Sequence, residues 1–258
     1  MTENFLDEIN PSNAFIVGAS QGIGLGFVQK LVGDTRITKI YATYRNPESA
    51  EKLFAVANSH PEKLTCLSMD IIDEVQITDI CQKIKNEVKN LHLAINCVGL
   101  LHDSIQQPEK SLRSVNLENL TRYFQINSIG GVLLAKHLLP LFKHQQRSIF
   151  ATISAKVGSI GDNQLGGWYG YRASKSALNM LMRNVSIEYG RSCPKNIVVT
   201  LHPGTTDTRL SQPFQANVPP EKLFSIDKTA TQLLNVIEGL QASDTGQFFS
   251  WDGSKLPW

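Results

Sequence analysis

Apolar and polar positions divide the chain into two alternating kinds of segment. Short apolar runs predict strands at residues 14–17, 37–44, 64–69, 91–98, 148–154, 196–202 and 247–251. Longer segments, in which apolar residues recur every three or four positions, predict helices at residues 23–32, 48–58, 74–89, 117–144, 171–189 and 227–240. Strand and helix therefore alternate along nearly the whole chain.

The predicted strands are apolar on consecutive residues rather than on alternate ones. Such strands are buried on both faces, as in a parallel sheet that is covered by helices. The alternation predicts a single-domain α/β protein, residues 1–258, with a doubly wound Rossmann fold of about seven parallel strands and helices on both faces. Ligands of such sheets bind beyond the carboxyl ends of the strands, so functional residues are expected directly after them.

Two loops are long enough to form parts of a ligand site. Residues 204–225 are irregular, and loops of this length in a compact domain are usually functional or disordered. We therefore predict a substrate lid within the domain at residues 204–225, and residues 99–116 are a second candidate. Trp168, Leu210 and Phe214 suggest an apolar pocket wall, but aromatic residues in loops are as often simply packed.

Composition and charge narrow the function classes. The chain is 41% hydrophobic and 19% charged, and its 25 Lys and Arg nearly balance 23 Asp and Glu. This near balance of charge gives no indication of a basic surface that would bind nucleic acid or an anionic membrane. The most apolar long stretch, residues 129–142, is too short to span a bilayer and contains Lys136 and His137. Residues 1–15 carry acids and a proline instead of a secretion signal, which predicts a cytoplasmic protein.

The four cysteines, at positions 66, 81, 97 and 193, are spaced singly. No CxxC pair or zinc-like His spacing accompanies them, so we predict no metal site. Buried thiols in a reducing compartment are the expected state.

A glycine-rich turn follows the first predicted strand, with Gly18, Gly22 and Gly24 in the sequence AFIVGASQGIGLG. Such a turn lets a bare backbone and the N–H groups of a helix N-terminus contact a pyrophosphate. The spacing is GxxxGxG rather than the commoner GxGxxG. Taken alone, the turn could also be an ordinary connection between a strand and a helix.

The turn resembles the cofactor-binding turn of the short-chain dehydrogenase/reductase family, although Val17 stands where that family usually has Thr. The resemblance implies that the turn binds a nicotinamide dinucleotide. The residues that it implies as contacts are Gly18, Ser20, Gln21, Gly22, Ile23 and Gly24.

Arg45 follows the second strand and indicates which dinucleotide binds. A cofactor with a free ribose usually meets an acid at this place, whereas a 2′-phosphate needs an arginine. No acid occurs here before Glu48. The sequence therefore favours NADP(H) over NAD(H), and the alternative is that Arg45 is a solvated surface residue.

Later segments continue the family resemblance in the expected order. It implies that Asp70 and Ile71 contact the adenine and that Asn96 and Gly99 pass along the ribose, although Cys97 departs from the usual Asn. After the sixth strand, a P-G-x-x-x-T stretch implies nicotinamide contacts. These fall on Pro203, Gly204, Thr206 and Thr208.

Tyr171 and Lys175 form a YxxxK pair and are the candidate catalytic groups. Residues four apart in a helix share one face, so the side chains should be about 5–6 Å apart. A phenol is a poor base at neutral pH, because its ordinary pKa is about 10. A neighbouring ammonium and a positively charged nicotinamide both favour the phenolate. The pair therefore predicts a tyrosine whose pKa is lowered enough for proton transfer.

In the short-chain family the corresponding positions form an Asn-Ser-Tyr-Lys tetrad, which implies Asn127, Ser154, Tyr171 and Lys175 here. The resemblance implies that Tyr171 is the general acid/base and that Ser154 orients the substrate. It further implies that Lys175 binds the nicotinamide ribose and that Asn127 holds a water. Tyr169 and Ser159 are rivals, but Tyr169 lacks a lysine four residues later.

Residues 246–258 are similar to the termini of the C-factor and Sniffer-like branch of that family, which implies a carbonyl reductase. We therefore predict an NADP(H)-dependent oxidoreductase that transfers hydride between the nicotinamide and a small carbonyl or alcohol substrate. The alternative is a catalytically silent, dinucleotide-sensing regulatory protein of the same fold. Residues 117–144 could pair two copies in a homodimer.

Overall fold

The computed structural model describes residues 5–9 and 11–258 and contains one large sheet covered by helices. Its seven parallel strands lie in the order β3-β2-β1-β4-β5-β6-β9. The strands are β1 Ser12–Val17, β2 Ile37–Tyr44, β3 Leu64–Ser68, β4 Leu93–Asn96, β5 Ser148–Ile153, β6 Asn196–His202, β7 Thr205–Thr206, β8 Leu223–Phe224 and β9 Phe248–Ser250. The predicted fold class is confirmed.

The helices lie between the strands along the chain. They are α1 Phe5–Glu8, α2 Gly22–Val32, α3 Glu51–Ser59, α4 Glu74–Val88, α5 Leu117–Phe124, α6 Gly130–Phe142, α7 Tyr169–Ser192 and α8 Ile226–Gly239. A π-helical turn, Gln125–Ile129, joins α5 to α6, so the single long helix expected at 117–144 is interrupted.

Strand β5 shows why the apolar runs predicted the sheet. Every residue of β5 is buried. Ile149, Ala151 and Ile153 belong to the core on one face of the sheet, whereas Phe150 belongs to the core on the other face. Since successive side chains of a strand point to opposite faces, burial on both faces requires an unbroken apolar run.

The ends of the central strands are aligned in register. Val17 at the end of β1 is opposite Asn96 at the end of β4, and Asn96 is opposite Thr152 in β5. Thr152 is in turn opposite Thr200 in β6. The segments that follow these strands therefore start at one edge of the sheet, which is where the sequence places the candidate site.

Residues 204–225 are more ordered than the sequence indicates. Thr205 pairs with Leu223 and Thr206 with Phe224, so β7 and β8 form a small parallel sheet that joins the two ends of this segment. Two short 3₁₀ turns lie within it, Gln212–Phe214 and Pro220–Lys222.

The described residues offer neither a membrane-spanning helix nor a cluster of metal ligands. None of the helices in residues 5–9 and 11–258 combines the length and apolar character needed to cross a bilayer. Within the same ranges, no three His, Cys, Asp or Glu side chains are grouped so that they could hold a metal ion. The four cysteines are free, with Cys81 and Cys193 buried and the other two half-buried.

Candidate active site

The glycine turn between β1 and α2 is shaped by its backbone. Gly18 and Gly22 have positive φ angles of 78° and 58°. A Cβ added at Gly24 would lie 2.2 Å from the carbonyl oxygen of Gly18, so no side chain fits there. The N–H of Gly18 donates to Thr43 Oγ1 at 2.9 Å. Thr43 thus offers a hydroxyl to the turn from the neighbouring strand, although Val17 has none.

The N-terminus of α2 fits an anionic group. Gln21 precedes the helix in an extended conformation, its side chain does not cap the helix, and the first turn contains no acid. The first N–H groups of a helix have no intrahelical partner, and they attract negative charge. Thr208 lies close to the turn, because a Cβ added at Gly22 would be 3.5 Å from Thr208 Cγ2.

Arg45, one residue beyond β2, is exposed. Its guanidinium group makes no ion pair or hydrogen bond with the part of the chain that the structure describes. A free guanidinium at this place fits a 2′-phosphate.

The loop after β3 holds the predicted adenine contacts. Asp70 Oδ1 accepts a hydrogen bond from the Ile72 N–H at 3.2 Å, which fixes the loop. Asp73, and not Asp70, caps α4 by accepting from two N–H groups of its first turn. Ile71 is buried against Gly130, where an added Cβ would lie 2.6 Å from its side chain.

The segment after β4 lies beside the catalytic candidates. Asn96 Oδ1 accepts from the Val98 N–H at 3.1 Å, so the chain turns directly after the strand. A Cβ added at Gly99 would lie 3.4 Å from Lys175 Nζ and 3.8 Å from Asn127 Oδ1. The β4 loop, Lys175 and Asn127 therefore meet at one point.

Asn127 is buried in the π-helical turn. Its Oδ1 accepts from the Leu100 N–H at 2.7 Å, and its Nδ2 donates to the Leu100 carbonyl at 2.9 Å and to Ser174 Oγ at 3.0 Å. π-helical turns occur frequently at functional sites. Helical periodicity in the sequence gives no signal for this one.

Tyr171 and Lys175 lie on one face of α7, as predicted. Lys175 Nζ is 6.0 Å from the centroid of the Tyr171 ring and donates to the Ile153 carbonyl at 3.0 Å. Both side chains are buried. No residue in the described part of the chain forms a hydrogen bond with the Tyr171 hydroxyl.

The protein alone shifts the two pKa values differently from the expectation. Burial raises the pKa of Tyr171, and the nearby Tyr123 adds to this shift. Burial also lowers the pKa of Lys175 to about 8. Lys175 donates its hydrogen bond to the Ile153 carbonyl, and the pKa of Tyr171 is raised where a lowering was expected.

The structure does not bring the Ser154 hydroxyl to Tyr171. Ser154 Oγ donates to Asn179 Oδ1 at 2.7 Å, one helical turn beyond Lys175, and the residue is 2% exposed. The methyl group of the next residue, Ala155, packs on the cluster that contains Tyr171. The arrangement therefore does not favour the predicted role of Ser154 as the substrate-orienting hydroxyl, because the chain turns that side chain into the core. Ser159 is buried as well, and its Oγ accepts from the Asp162 N–H.

An apolar cluster surrounds Tyr171, and we call it the aromatic cluster. Trp168 contacts Tyr171 at 6.1 Å between ring centroids and Phe214 at 4.9 Å. Tyr169, the rival phenol, is 37% exposed and lies outside the cluster. The members are Leu100, Leu101, Tyr123, Ala155, Val157, Trp168, Tyr171, Leu210 and Phe214.

The chain enters α7 through three consecutive residues with positive φ angles. These are Gly166 at 65°, Gly167 at 64° and Trp168 at 51°. A positive φ is unfavourable for a bulky residue such as Trp168, and it persists only where the surroundings fix it.

Glu109 holds the start of α7 in place. This residue was not identified from the sequence. Its carbonyl oxygen accepts from the Trp168 N–H, and its buried Oε2 accepts from the Gly170 N–H at 3.1 Å. The residue therefore caps α7 from a distant loop. Nothing in its local sequence marks it, since it is one polar residue in a long loop. In the same loop, the ring nitrogen Nε2 of His102 bonds to the carbonyl of Leu210 at 3.1 Å, so two loops are joined across the cluster.

Thr206 and Thr208, the two threonines predicted to contact the nicotinamide, lie apart from each other in the segment after β6. Thr206 Oγ1 lies 2.9 Å from Thr229 Oγ1 and is buried against α8. Thr208 lies instead beside the glycine turn. Pro203 is buried, and Gly204 lies against the ring of Phe224.

Comparison with known proteins assigns this fold and site to a family. The sequence profile described as "short chain dehydrogenase" matches residues 12–219. The chain therefore belongs to the short-chain dehydrogenase family of oxidoreductases. It is 27% identical over 255 residues to an uncharacterized oxidoreductase of Schizosaccharomyces pombe, across 94% of this chain and 96% of that protein.

Further similarities place the chain within the family. It is 32% identical over 149 residues to C-signal of Myxococcus xanthus, across 57% of this chain and 84% of that protein. The structure of NADPH-bound carbonyl reductase from chicken fatty liver matches with a TM-score of 0.86 and 28% identity, across 96% of this chain and 99% of that one. Carbonyl reductase Sniffer of D. melanogaster matches with a TM-score of 0.84 and 26% identity, across 96% and 100%. The predicted C-factor and Sniffer-like branch is confirmed.

Proposed function

We propose that this protein is an NADP(H)-dependent oxidoreductase that transfers hydride between the nicotinamide and a carbonyl or alcohol substrate, with Tyr171 as general acid/base. One observation carries the proposal: Tyr171 and Lys175 share one face of α7 at the sheet edge where the glycine turn also lies. Relatives in the same branch include a carbonyl reductase with bound NADPH, which supports this cofactor.

The residues that would hold the cofactor surround this edge. The α2 N-terminus would take the pyrophosphate, and Arg45 the 2′-phosphate. Lys175 would bind the nicotinamide ribose. The remaining contacts proposed are Gly18, Ser20, Gln21, Gly22, Ile23, Gly24, Asp70, Ile71, Asn96, Gly99, Tyr171, Pro203, Gly204, Thr206 and Thr208.

Tyr171 is suited to act as an acid in the direction of carbonyl reduction. Burial raises its pKa, so the phenol is protonated at neutral pH. When bound, NADPH supplies the hydride that adds to the carbonyl carbon. The Tyr171 O–H bond breaks as its proton moves to the carbonyl oxygen, which leaves an alcohol and a phenolate. The phenolate is then reprotonated from solvent.

Lys175 and Asn127 assist Tyr171 in different ways. The Lys175 ammonium lies near the Tyr171 ring and stabilises the phenolate once the proton has left. Asn127 ties the β4 loop to α7 through Leu100 and Ser174. We propose that Asn127 positions these elements and a relaying water. The Ser154 hydroxyl is not part of the proposed machinery.

The proposal also covers the substrate lid, the cellular location and the oligomeric state. Residues 204–225 act as the substrate lid of a single domain, residues 1–258. We further propose a cytoplasmic location, a small-molecule substrate and a homodimer that pairs through α5 and α6. Sedimentation equilibrium of the purified protein tests the dimer.

A catalytically silent dinucleotide sensor remains the second candidate. It is favoured by one observation, since the Ser154 hydroxyl is turned into the core and the adjacent Ala155 offers no hydroxyl. A sensor binds NADPH and turns nothing over.

Replacement of Tyr171 separates the two candidates. We expect Tyr171→Phe to lower NADPH-dependent reduction of a carbonyl panel by at least about 100-fold, with NADPH affinity within a few-fold. Tyr169→Phe, which removes an exposed hydroxyl two residues away, is the matched control and should keep full activity. Full activity of Tyr171→Phe would remove Tyr171 as the acid. Binding of NADPH without turnover of any carbonyl by the wild type would establish the sensor.

A further inference from the structure

Two consecutive residues at the carboxyl end of β5 point to opposite sides. Ser154 donates to Asn179 in the core, and Ala155 packs on the aromatic cluster. Ala155 is extended, with φ −149° and ψ 144°, so the alternation of a strand continues through it. The position that faces the substrate region beside Tyr171 therefore holds a methyl group.

Hydroxyl groups are scarce in the aromatic cluster. Tyr123 has one, but it donates to the Leu101 carbonyl at 2.6 Å. Among the cluster members, which all lie in the described part of the chain, Tyr171 alone has a hydroxyl without an acceptor in the protein. A substrate carbonyl in this cluster therefore meets one hydroxyl donor.

The number of donors decides how strongly the protein polarises a carbonyl. Negative charge develops on the carbonyl oxygen as hydride adds to the carbon, and each preorganised donor at that oxygen changes the rate about 10²–10³-fold. With one hydroxyl, the rate depends more on how electron-poor the carbonyl itself is.

We propose that Ala155 is a specificity-determining residue, which restricts efficient turnover to activated carbonyls by withholding a second hydroxyl from the substrate oxygen. Activated carbonyls here are those with electron-withdrawing neighbours, such as quinones, vicinal diketones and electron-poor aldehydes. This inference rests on the proposed function, because it takes Tyr171 as the proton donor to a carbonyl.

A series of para-substituted benzaldehydes tests the proposal. The slope of log kcat/KM against the electronic constant of the substituent measures how far the rate depends on the activation of the carbonyl. We expect a steep slope for the wild type and a shallower one for Ala155→Ser. For para-methoxybenzaldehyde, Ala155→Ser should raise kcat/KM about tenfold or more. Ala155→Cys has nearly the same size but a weak donor, and it should stay within a few-fold of the wild type.

Ser154→Ala completes the test. We expect it to lower thermal stability, since it leaves Asn179 without its partner, and to leave the slope unchanged. An unchanged slope in Ala155→Ser would overturn the proposal, and so would a loss of 100-fold or more in Ser154→Ala at wild-type melting temperature. If neither the wild type nor Ala155→Ser reduces any aldehyde, vicinal diketone or quinone while both bind NADPH, the proposed function itself is overturned, and this inference falls with it.

Discussion

The two halves of the site are built by different means. The proposed cofactor half, formed by β1 to β3 with the glycine turn, is defined by its backbone: positive φ angles and a contact that excludes any Cβ at Gly24. The proposed substrate half, formed by the loops at 100–116, 155–168 and 209–225, is held by side-chain contacts between distant residues. Glu109 caps α7 and His102 joins two of the loops.

This difference explains how each half can vary. A backbone constraint tolerates few residue types, so the cofactor half has little freedom in sequence. A side-chain contact between loops can be made by many pairs of residues. Substitutions at the backbone-constrained positions of the glycine turn should therefore abolish binding of the dinucleotide. Substitutions at the contacts that join the loops of the substrate half should change KM for the substrate while the dinucleotide still binds.

The largest effect is expected at Gly24. A Cβ there meets the Gly18 carbonyl oxygen at 2.2 Å, so Gly24→Ala should abolish NADPH binding and lower the free energy of unfolding by about 1–3 kcal/mol. Gly190→Ala in α7 is the matched control, since an added Cβ there meets nothing within 4 Å. It should stabilise the protein by up to about 1 kcal/mol. Fluorescence titration and thermal melts measure both, and near-normal binding by Gly24→Ala would contradict the backbone argument.

Arg45 should give the next largest effect. Loss of a charge-assisted hydrogen bond costs about 1.5–3 kcal/mol, so Arg45→Ala should weaken NADPH binding about 10- to 100-fold. NADH, which lacks the 2′-phosphate, should bind within about twofold of its wild-type affinity. Lys52→Ala removes another exposed cation in the same half and serves as control. Equal losses for both dinucleotides would indicate a general charge effect in place of phosphate recognition.

Glu109 tests whether the substrate half can be disturbed separately. Glu109→Ala removes the acceptor for the Gly170 N–H, so we expect a loss of about 1 kcal/mol in stability and a raised KM for the substrate. Glu109→Gln keeps an acceptor oxygen and should retain most of both. The NADPH dissociation constant should stay within twofold in both variants. A parallel rise in that constant would show that the halves are coupled.

The smallest effect is expected from the protonation of His202 at the end of β6. Burial chiefly lowers its pKa to about 4, and Lys156 adds to the shift. Because the folded-state pKa is below the unfolded value of about 6.5, the stability contributed by the neutral imidazole is present above pH 6.5 and is lost as the pH falls towards 4. Urea midpoints measured from pH 7 to pH 4.5 should therefore fall less in His202→Gln than in the wild type. Parallel curves would rule out this histidine as a source of acid sensitivity.

The sequence predicted the sheet well and the substrate half poorly, for physical reasons. Runs such as residues 148–154 were informative because a strand buried on both faces must be apolar at every position. The structure does not bring the predicted Ser154 hydroxyl to Tyr171, because β5 ends at Ile153 and the next two side chains point to opposite sides. If the end of the strand is shifted by one residue, the side chains at 154 and 155 exchange sides. The amino-acid composition does not determine at which residue the strand ends.

Other features depend on partners that are remote in sequence. Thr43 reaches the glycine turn from the adjacent strand, and Glu109 reaches α7 from a loop 61 residues away. The π-helical turn at Asn127 lies inside the segment 117–144, whose apolar spacing predicted one unbroken helix. These features follow from contacts in three dimensions, which periodicity along one chain does not encode.

The run of positive φ angles from Gly166 to Trp168 lies directly before the first turn of α7. An α-helix advances 100° per residue, so one residue inserted between Trp168 and Tyr171 would rotate the indole about the helix axis and away from its contact with the phenol. Upstream of Gly166 the chain is exposed, with Leu165 90% accessible, and extra length there changes nothing in the helix. We therefore expect residues inserted before Gly166 to leave the contact between Trp168 and Tyr171 intact, and residues inserted after Trp168 to break it.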